Sequence, residues 1–371
     1  GYEVSLPSRT GAPIRYDGGD YRRTLDLALE VADSSGFAQR RTETEKRGLR
    51  RGLGLASYVE DTGTGPSEGA RVAIDRDGTV RVDVGVSSQG QGHVTVFTQL
   101  ASDALGVEPE RVVVVSGDTG NFPTGKSTVA SRTAVTAGPA VHTAATEVAT
   151  AVKRAAAEML EAAEADLRLS DGRVEVVGMS GMGVSIKDVA VHLHQQDRGN
   201  ELTAHEDVPF SSAAFAFGSN VAEVIVDPET GLVEVVDYSV AHDCGTVLNP
   251  MIVAGQIAGG VVHGLGNALL ERVATSEDGQ PQVTSFIDYR IMGASEVPSI
   301  RQAHTETPSP TNLLGARGAG EGGTLPAMAA VAAAVEDALS PWGVVVDRYP
   351  LQPEVVRRLM RDAAVSRDSV E

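Results

Sequence analysis

Two separated stretches of the chain repeat one pattern, and that repetition limits the folds open to it. Arg71–Ile74 and Val80–Val86 are short apolar strands on either side of Asp75-Arg76-Asp77-Gly78. An acid-to-glycine turn between apolar strands signals a β-hairpin. Ala222–Val226 and Val233–Val240 flank Asp227-Pro228-Glu229-Thr230-Gly231 in the same way. Each second strand runs into a polar loop, SSQGQGH in the first copy and AHDCGTVLNP in the second. Each loop leads into an apolar helix, about Val94–Leu105 and Met251–Leu270, with a glutamine (Gln91, Gln256) near the loop or helix start. Hairpins build sheets, and apolar helices must cover them. We therefore expect an α+β fold of two related subdomains with mixed sheets and helices. The expected boundaries are an arm and helix over 1–50, a first subdomain over 51–205 and a second over 206–371, with the break between Leu202 and Ala214.

The remaining segments fill this frame. Gly1–Asp20 reads as an extended arm, and Tyr21–Ala32 as a helix with Leu25, Ala28, Leu29 and Ala32 on one face. RRTETEKRGLRR reads as a solvated connector. Strands are expected at Leu53–Val59, Arg111–Val115, Arg173–Val177, Val184–Ile186 and Val283–Tyr289. Helices are expected at Ala144–Ala165, Ile186–Leu193, Ala327–Leu339 and Pro353–Ala363. Gly138 and Pro139 interrupt the segment before Ala144.

Charge narrows the function. With a net charge of −19 and a pI near 4.8, the chain lacks the clustered Lys and Arg that phosphate backbones require, so nucleic acid is not an expected partner. Cys244 is the only cysteine, which excludes an intrachain disulfide or a Cys-built iron–sulfur cluster. No apolar run approaches the roughly 18 residues of a membrane span. The first residues lack the basic and apolar regions of a signal peptide, and there is no initiator Met. The expected location is cytoplasmic, in a chain that is trimmed or is the second half of something longer.

Several local strings suggest chemistry. GNFPTGKS, from Gly120 to Ser127, satisfies the phosphate-loop pattern, in which Lys126 would reach terminal phosphates and Ser127 would hold magnesium. Val233-Glu234-Val235-Val236-Asp237 could supply a second acid for such a nucleotide hydrolase. Gly318 to Gly323 matches GxGxxG, but an apolar strand does not lead into it. The histidines are scattered, with no metal-ligand spacing. Cys244 with His242 leaves a nucleophile–base pair open. Four loops rich in glycine, amide and hydroxyl groups remain: Gln89–His93, Ser127–Thr133, Cys244–Asn249 with Gln256, and Gly318–Gly323. Amides, hydroxyls and helix N-termini suit a hydrogen-bonding, anionic cofactor. Glu321, set among glycines before an Ala-rich helix, is one acid aimed from a loop that something can closely approach.

The same strings, in order, are familiar. SSQGQGHVTVFTQLASDALGVEPERVVVVSGDT, STVASRTAVTAGPAV, AHDCGTVLNPMIVAGQIAGGVVHGLG and HTETPSPTNLLGARGAGEGGTLPAMAAVAAAV resemble successive blocks of the molybdenum hydroxylases, the xanthine dehydrogenase / aldehyde oxidase / carbon monoxide dehydrogenase family. The resemblance runs from about Tyr21 to Ala338 and covers the C-terminal half of the molybdenum subunit. It implies a molybdopterin-binding oxidoreductase that oxidises an aldehyde or an N-heterocyclic C–H with oxygen from water. Glu321 matches the family's general base. Gln91 with Gly92, and Gln256, match cofactor-contacting positions; so do Ala130, Ser131 and Thr133, and the backbone at Gly320. It implies a molybdenum–pterin cofactor in the cytosine dinucleotide form. Iron–sulfur clusters and FAD would sit on partner subunits, another chain would carry the missing N-terminal half, and the whole would be a dimer of heteromers. The resemblance assigns no metal ligand to this chain's side chains.

Overall fold

The computed structural model describes residues 2–4, 14–63, 65, 67–179, 181–208 and 212–368. In chain order it begins with β1 (Tyr2–Val4), β2 (Ile14–Tyr16), α1 (Tyr21–Val31), α2 (Phe37–Glu45) and β3 (Arg50–Thr62). Next come β4 (Glu68–Ile74), β5 (Val80–Val84), α3 (His93–Leu105), β6 (Val112–Ser116) and α4 (Thr133–Leu160). The middle holds β7 (Leu167–Ser170), β8 (Arg173–Val176), β9 (Gly183–Ser185), α5 (Ile186–Gln195) and β10 (Thr203–Val208). The last part holds β11 (Ala214–Val226), β12 (Val233–Asp243), α6 (Pro250–Leu269), β13 (Ile300–Thr305), α7 (Ala327–Ala338) and α8 (Pro353–Asp368). These elements form two compact units. One comprises Gly1–Glu60, Phe215–Pro308 and Ala319–Glu371; the other comprises Asp61–Ala214 and Ser309–Gly318.

The repeated pattern has a structural counterpart in each unit. In the Asp61–Ala214 unit, β4 and β5 form the antiparallel hairpin, with Gly78 taking φ +88° in its turn. Helix α3 then crosses over to β6, which lies parallel to β5 in the register Val80↔Val112 to Val84↔Ser116. The sheet order is β10-β4-β5-β6. In the other unit, β11 and β12 make the hairpin, α6 makes the crossover, and β13 lies parallel to β12 in the order β13-β12-β11-β3. Both units are thus hairpin, crossover helix, parallel strand, then a second helix. Alternating buried residues explain the sheets: Val72, Ile74, Val80, Val82 and Val84 share one core with Ala140, Val141 and Val148 of α4. Val224, Tyr238 and Val240 share the other with Ile257, Val261 and Leu265 of α6 and Val331 of α7.

Four local expectations are corrected. Helix α4 begins at Thr133, not Ala144, and runs through Pro139. An interior proline costs about 3 kcal/mol, but Val135, Ala137, Pro139, Ala140 and Val141 are all buried, and core packing overrides it. The charged stretch read as a connector contains α2, and three of its cations are clamps. Arg40 meets the buried carboxylate of Glu223 at 2.8 Å, Arg51 pairs with the same group, and Arg41 pairs with Asp337. The segment around Val283–Tyr289 is a turn rather than a strand, closed by Ser285 Oγ donating to Asp288 at 3.0 Å. Finally, α6 is long and apolar enough to cross a membrane by length and composition, with a mean hydropathy of 1.2. A buried core helix passes the same test, and α6 puts Val253, Ile257, Val261 and Leu265 into its unit's core.

Candidate functional site

All the candidate residues follow the carboxyl ends of their unit's parallel strands, where open α/β sheets bind ligands. Gln91 and Gly92 follow β5, and Ala130, Ser131 and Thr133 follow β6. Gln256 follows β12, and Gly320 and Glu321 follow β13.

In the Asp61–Ala214 unit, the two candidate loops are tied together. Thr128 Oγ1 donates to the Ser87 carbonyl at 2.6 Å, and a Cβ on Gly85 would strike the Thr124 carbonyl. The loop before α4 carries positive φ at three non-glycine residues, Ser127 (131°), Ala130 (52°) and Ser131 (47°). Such strained backbone persists only where its surroundings hold it. They do so through a buried ion pair that sequence reasoning missed. Glu68, at the start of β4, accepts from the Lys126 amide at 2.9 Å and from the Arg132 guanidinium, and Arg132 Nη1 reaches the Ser127 carbonyl at 3.3 Å. The two side chains are 0% and 2% exposed. No local signal in the sequence singles out Glu68.

Both helices that follow these loops lack a side-chain N-cap. Gly92 (φ 74°) precedes α3 and Arg132 precedes α4. Their first amides and positive dipole ends suit an anionic group. Among the described residues nothing lies within 4 Å of a Cβ built on Gly90, so the glutamine loop is open to them on that side. Gln91 itself is held by Gln89, its Nε2 donating at 2.8 Å. Thr133 Oγ1 reaches Thr128 Oγ1 at a long 3.4 Å. The residues present therefore fit a phosphate-bearing pterin. The AHDCGTVLNP loop differs, because Asn249 caps α6 by accepting from the Ile252 amide at 3.0 Å.

Gly318, Gly322 and Gly323, near Glu321, are required by close approach. None of Gly318, Gly320, Gly322 and Gly323 has positive φ. A Cβ on Gly318 would collide with the Ser131 carbonyl, and the Gly318 amide donates to Thr62 Oγ1 at 3.0 Å. In the other unit, a Cβ on Gly323 would collide with the Ile257 carbonyl, one residue past Gln256. Gln256 and the glutamate loop are therefore neighbours there. Glu321 is exposed, and its carbonyl accepts from the amides of Thr324 (2.9 Å) and Leu325 (3.1 Å).

Beneath this loop lies a polar pair, of which sequence reasoning missed Tyr58. The Tyr58 hydroxyl and His242 Nδ1 are 2.7 Å apart. Burial first, and His304 second, pull the His242 pKa down to about 3 from an ordinary value near 6.5. Burial also raises the Tyr58 pKa, so both partners are neutral near pH 7. Below about pH 6.5 the unfolded chain binds a proton that folded His242 refuses. Stability therefore falls as pH drops from about 6.5 toward 3, by about 1.4 kcal/mol per pH unit for this group. Urea midpoints at pH 7.5 and 5.5 check this: the drop will be smaller in His242→Asn than in the wild type.

The nucleotide readings do not survive the geometry. A phosphate loop needs its helix at Lys126–Ser127, whereas α4 starts at Thr133, after a long loop from β6. Val233–Asp237 lies on β12, where Asp237 is paired with Arg301. GxGxxG follows no strand directly, since β13 ends at Thr305. His242 Nδ1 is engaged by Tyr58, and burial lowers the His242 pKa too far for it to act as base to Cys244 near pH 7.

A family profile described as "Molybdopterin cofactor-binding domain" matches residues 29–298. The chain is 38% identical over 365 residues to the nicotine 6-hydroxylase large subunit of Paenarthrobacter nicotinovorans, covering 93% of this chain and 44% of that subunit. It belongs to the molybdenum hydroxylase large-subunit family. The carbon monoxide dehydrogenase large chain of Hydrogenophaga pseudoflava is 31% identical, over 91% of this chain and 44% of that one. The crystal structure of quinoline 2-oxidoreductase from Pseudomonas putida 86 superposes with a TM-score of 0.86 at 37% identity, covering 95% of this chain and 47% of that one. The chain thus spans under half the length of the large subunits it matches, and it has their α+β fold.

Proposed function

We propose that this chain is the C-terminal, cofactor-binding half of a molybdenum hydroxylase that oxidises a C–H bond of an N-heteroaromatic ring, with Glu321 as general base. The observation that carries this reading is the placement of every candidate after a parallel strand, with uncapped helix N-termini in one unit and an exposed carboxylate in the other. The similarity to nicotine and quinoline enzymes at 37–38% identity supports a ring substrate over an aldehyde.

When bound, the molybdenum–pterin group would supply two-electron redox chemistry and acidify water. The amides around Gln91, Gly92, Ala130 and Ser131, with the Thr133 hydroxyl, hold its pterin and phosphates; Gln256 and the Gly320 backbone border it. Glu321 takes the proton from the attacking water-derived oxygen. A dinucleotide pterin suits two anion-binding helix ends, and the cytosine form is our assignment. The partners in this reading are a chain with the N-terminal half, an iron–sulfur subunit and a flavin subunit, in a dimer of heteromers. The complex is placed in the cytoplasm.

Metal and pterin analysis of the natively purified complex tests the class. Molybdenum stoichiometric with the chain, and unchanged in Lys126→Ala, is the expected result. ATP binding that disappears in Lys126→Ala, in a preparation free of molybdenum, would overturn it.

A further inference from the structure

Gly322 follows Glu321 directly, and its backbone rests on two side chains from distant strands. A Cβ there would collide with the Tyr58 hydroxyl and crowd His242 Cε1 at 3.1 Å. Tyr58 stands on β3 and His242 on β12. Their rings are nearly parallel, at 13°, and joined by the 2.7 Å hydrogen bond. His242 is fully buried, and its Nε2 has no hydrogen-bond partner among the described residues. A buried polar atom left in that state costs stability and calls for an explanation. The core could have used an apolar residue at this position.

We propose that Tyr58 and His242 are positioning residues, a rigid uncharged platform that fixes the Glu321 carboxylate through the backbone of Gly322. The inference rests on the reading of Glu321 as the base. Three restraints define the loop. The platform supports Gly322 from below. Thr324 Oγ1 donates to the Gly260 carbonyl at 2.9 Å and pins the far side to α6. The Glu321 carbonyl closes the turn by accepting from Thr324 and Leu325. With backbone fixed on both sides, the Cα–Cβ bond of Glu321 leaves the loop in one direction. Burial first, and His304 packed edge-on at 6.3 Å second, keep the His242 ring neutral. A base misplaced by about 1 Å loses on the order of a hundredfold in rate.

The test uses the assembled holoenzyme and the N-heterocyclic compound that supports the highest wild-type rate. Tyr58→Phe keeps the ring and removes the hydroxyl. It should lower kcat per molybdenum about ten- to hundredfold, with KM within about threefold, and speed hydrogen exchange in a peptide spanning residues 316–326. His242→Phe should do the same. Wild-type kcat and exchange in Tyr58→Phe, beside an inactive Glu321→Gln, would overturn the platform. So would a lowered melting temperature with unchanged kcat per molybdenum, which is a structural role only. Turnover in Glu321→Gln would instead overturn the reading of the base on which the inference rests.

Discussion

Glu321→Gln will lower kcat by a hundredfold to ten-thousandfold while leaving assembly, molybdenum content and melting temperature as in the wild type. A positioned general base contributes a factor of that order, equivalent to about 3–5 kcal/mol of barrier. Glutamine has the same size and leaves the backbone hydrogen bonds of residue 321 to Thr324 and Leu325 in place. Residue 321 is exposed in this chain, and a change of charge at an exposed position costs a fold little. Steady-state kinetics normalised to molybdenum, with a thermal melt of the same preparation, check both halves of the expectation. Full turnover would remove Glu321 from the chemistry.

The second large effect is on folding. Glu68→Gln will destabilise the Asp61–Ala214 unit by about 3–5 kcal/mol, the usual consequence of removing one member of a buried ion pair. Glu68 and Arg132 are almost wholly buried, and Arg132 sits immediately before α4. The same carboxylate holds the Lys126 amide, so its loss also frees the strained segment from Ser127 to Ser131. Pterin content should fall together with the urea midpoint. A midpoint shifted by less than about 1 kcal/mol, with wild-type pterin content, would show that the loop keeps its shape without the pair. An uncharged glutamine side chain there can still accept one hydrogen bond, so any residual stability should be lost in Glu68→Ala.

These two predictions differ in how their residues can be found. Glu321 stands out in one dimension: one acid among glycines, before an Ala-rich helix. Glu68 has no such mark, and its partner Arg132 is 64 residues away. Tyr58 and His242 are 184 residues apart, and Arg40 and Glu223 are 183. A run such as RRTETEKRGLRR has the composition of a solvated surface whether or not partner acids await it, so the clamps on Glu223 and Asp337 are invisible until the chain is folded. Pro139 misled for a related reason. Its local cost is real, but a helix whose second turn lies in the core can bear it. Val283–Tyr289 misled in the opposite direction, because strand-forming side chains need a neighbouring strand to pair with.

By itself, the sequence determined what depends on near neighbours: both acid-to-glycine hairpins, the crossover helices, the glycine and hydroxyl loops, and the α+β repeat that they imply. Turn chemistry and periodicity act over a few residues, so they can be read along the chain. Only the tertiary structure decided which segments belong together. Gly1–Glu60 folds with Phe215–Pro308 because β3 pairs with β11. It also decided why the Glu321 loop needs its glycines. Gly318, Gly322 and Gly323 give up a Cβ to admit the Ser131 carbonyl, Tyr58 with His242, and the Ile257 carbonyl. Each of those contacts is long-range, and no pattern along the chain records it.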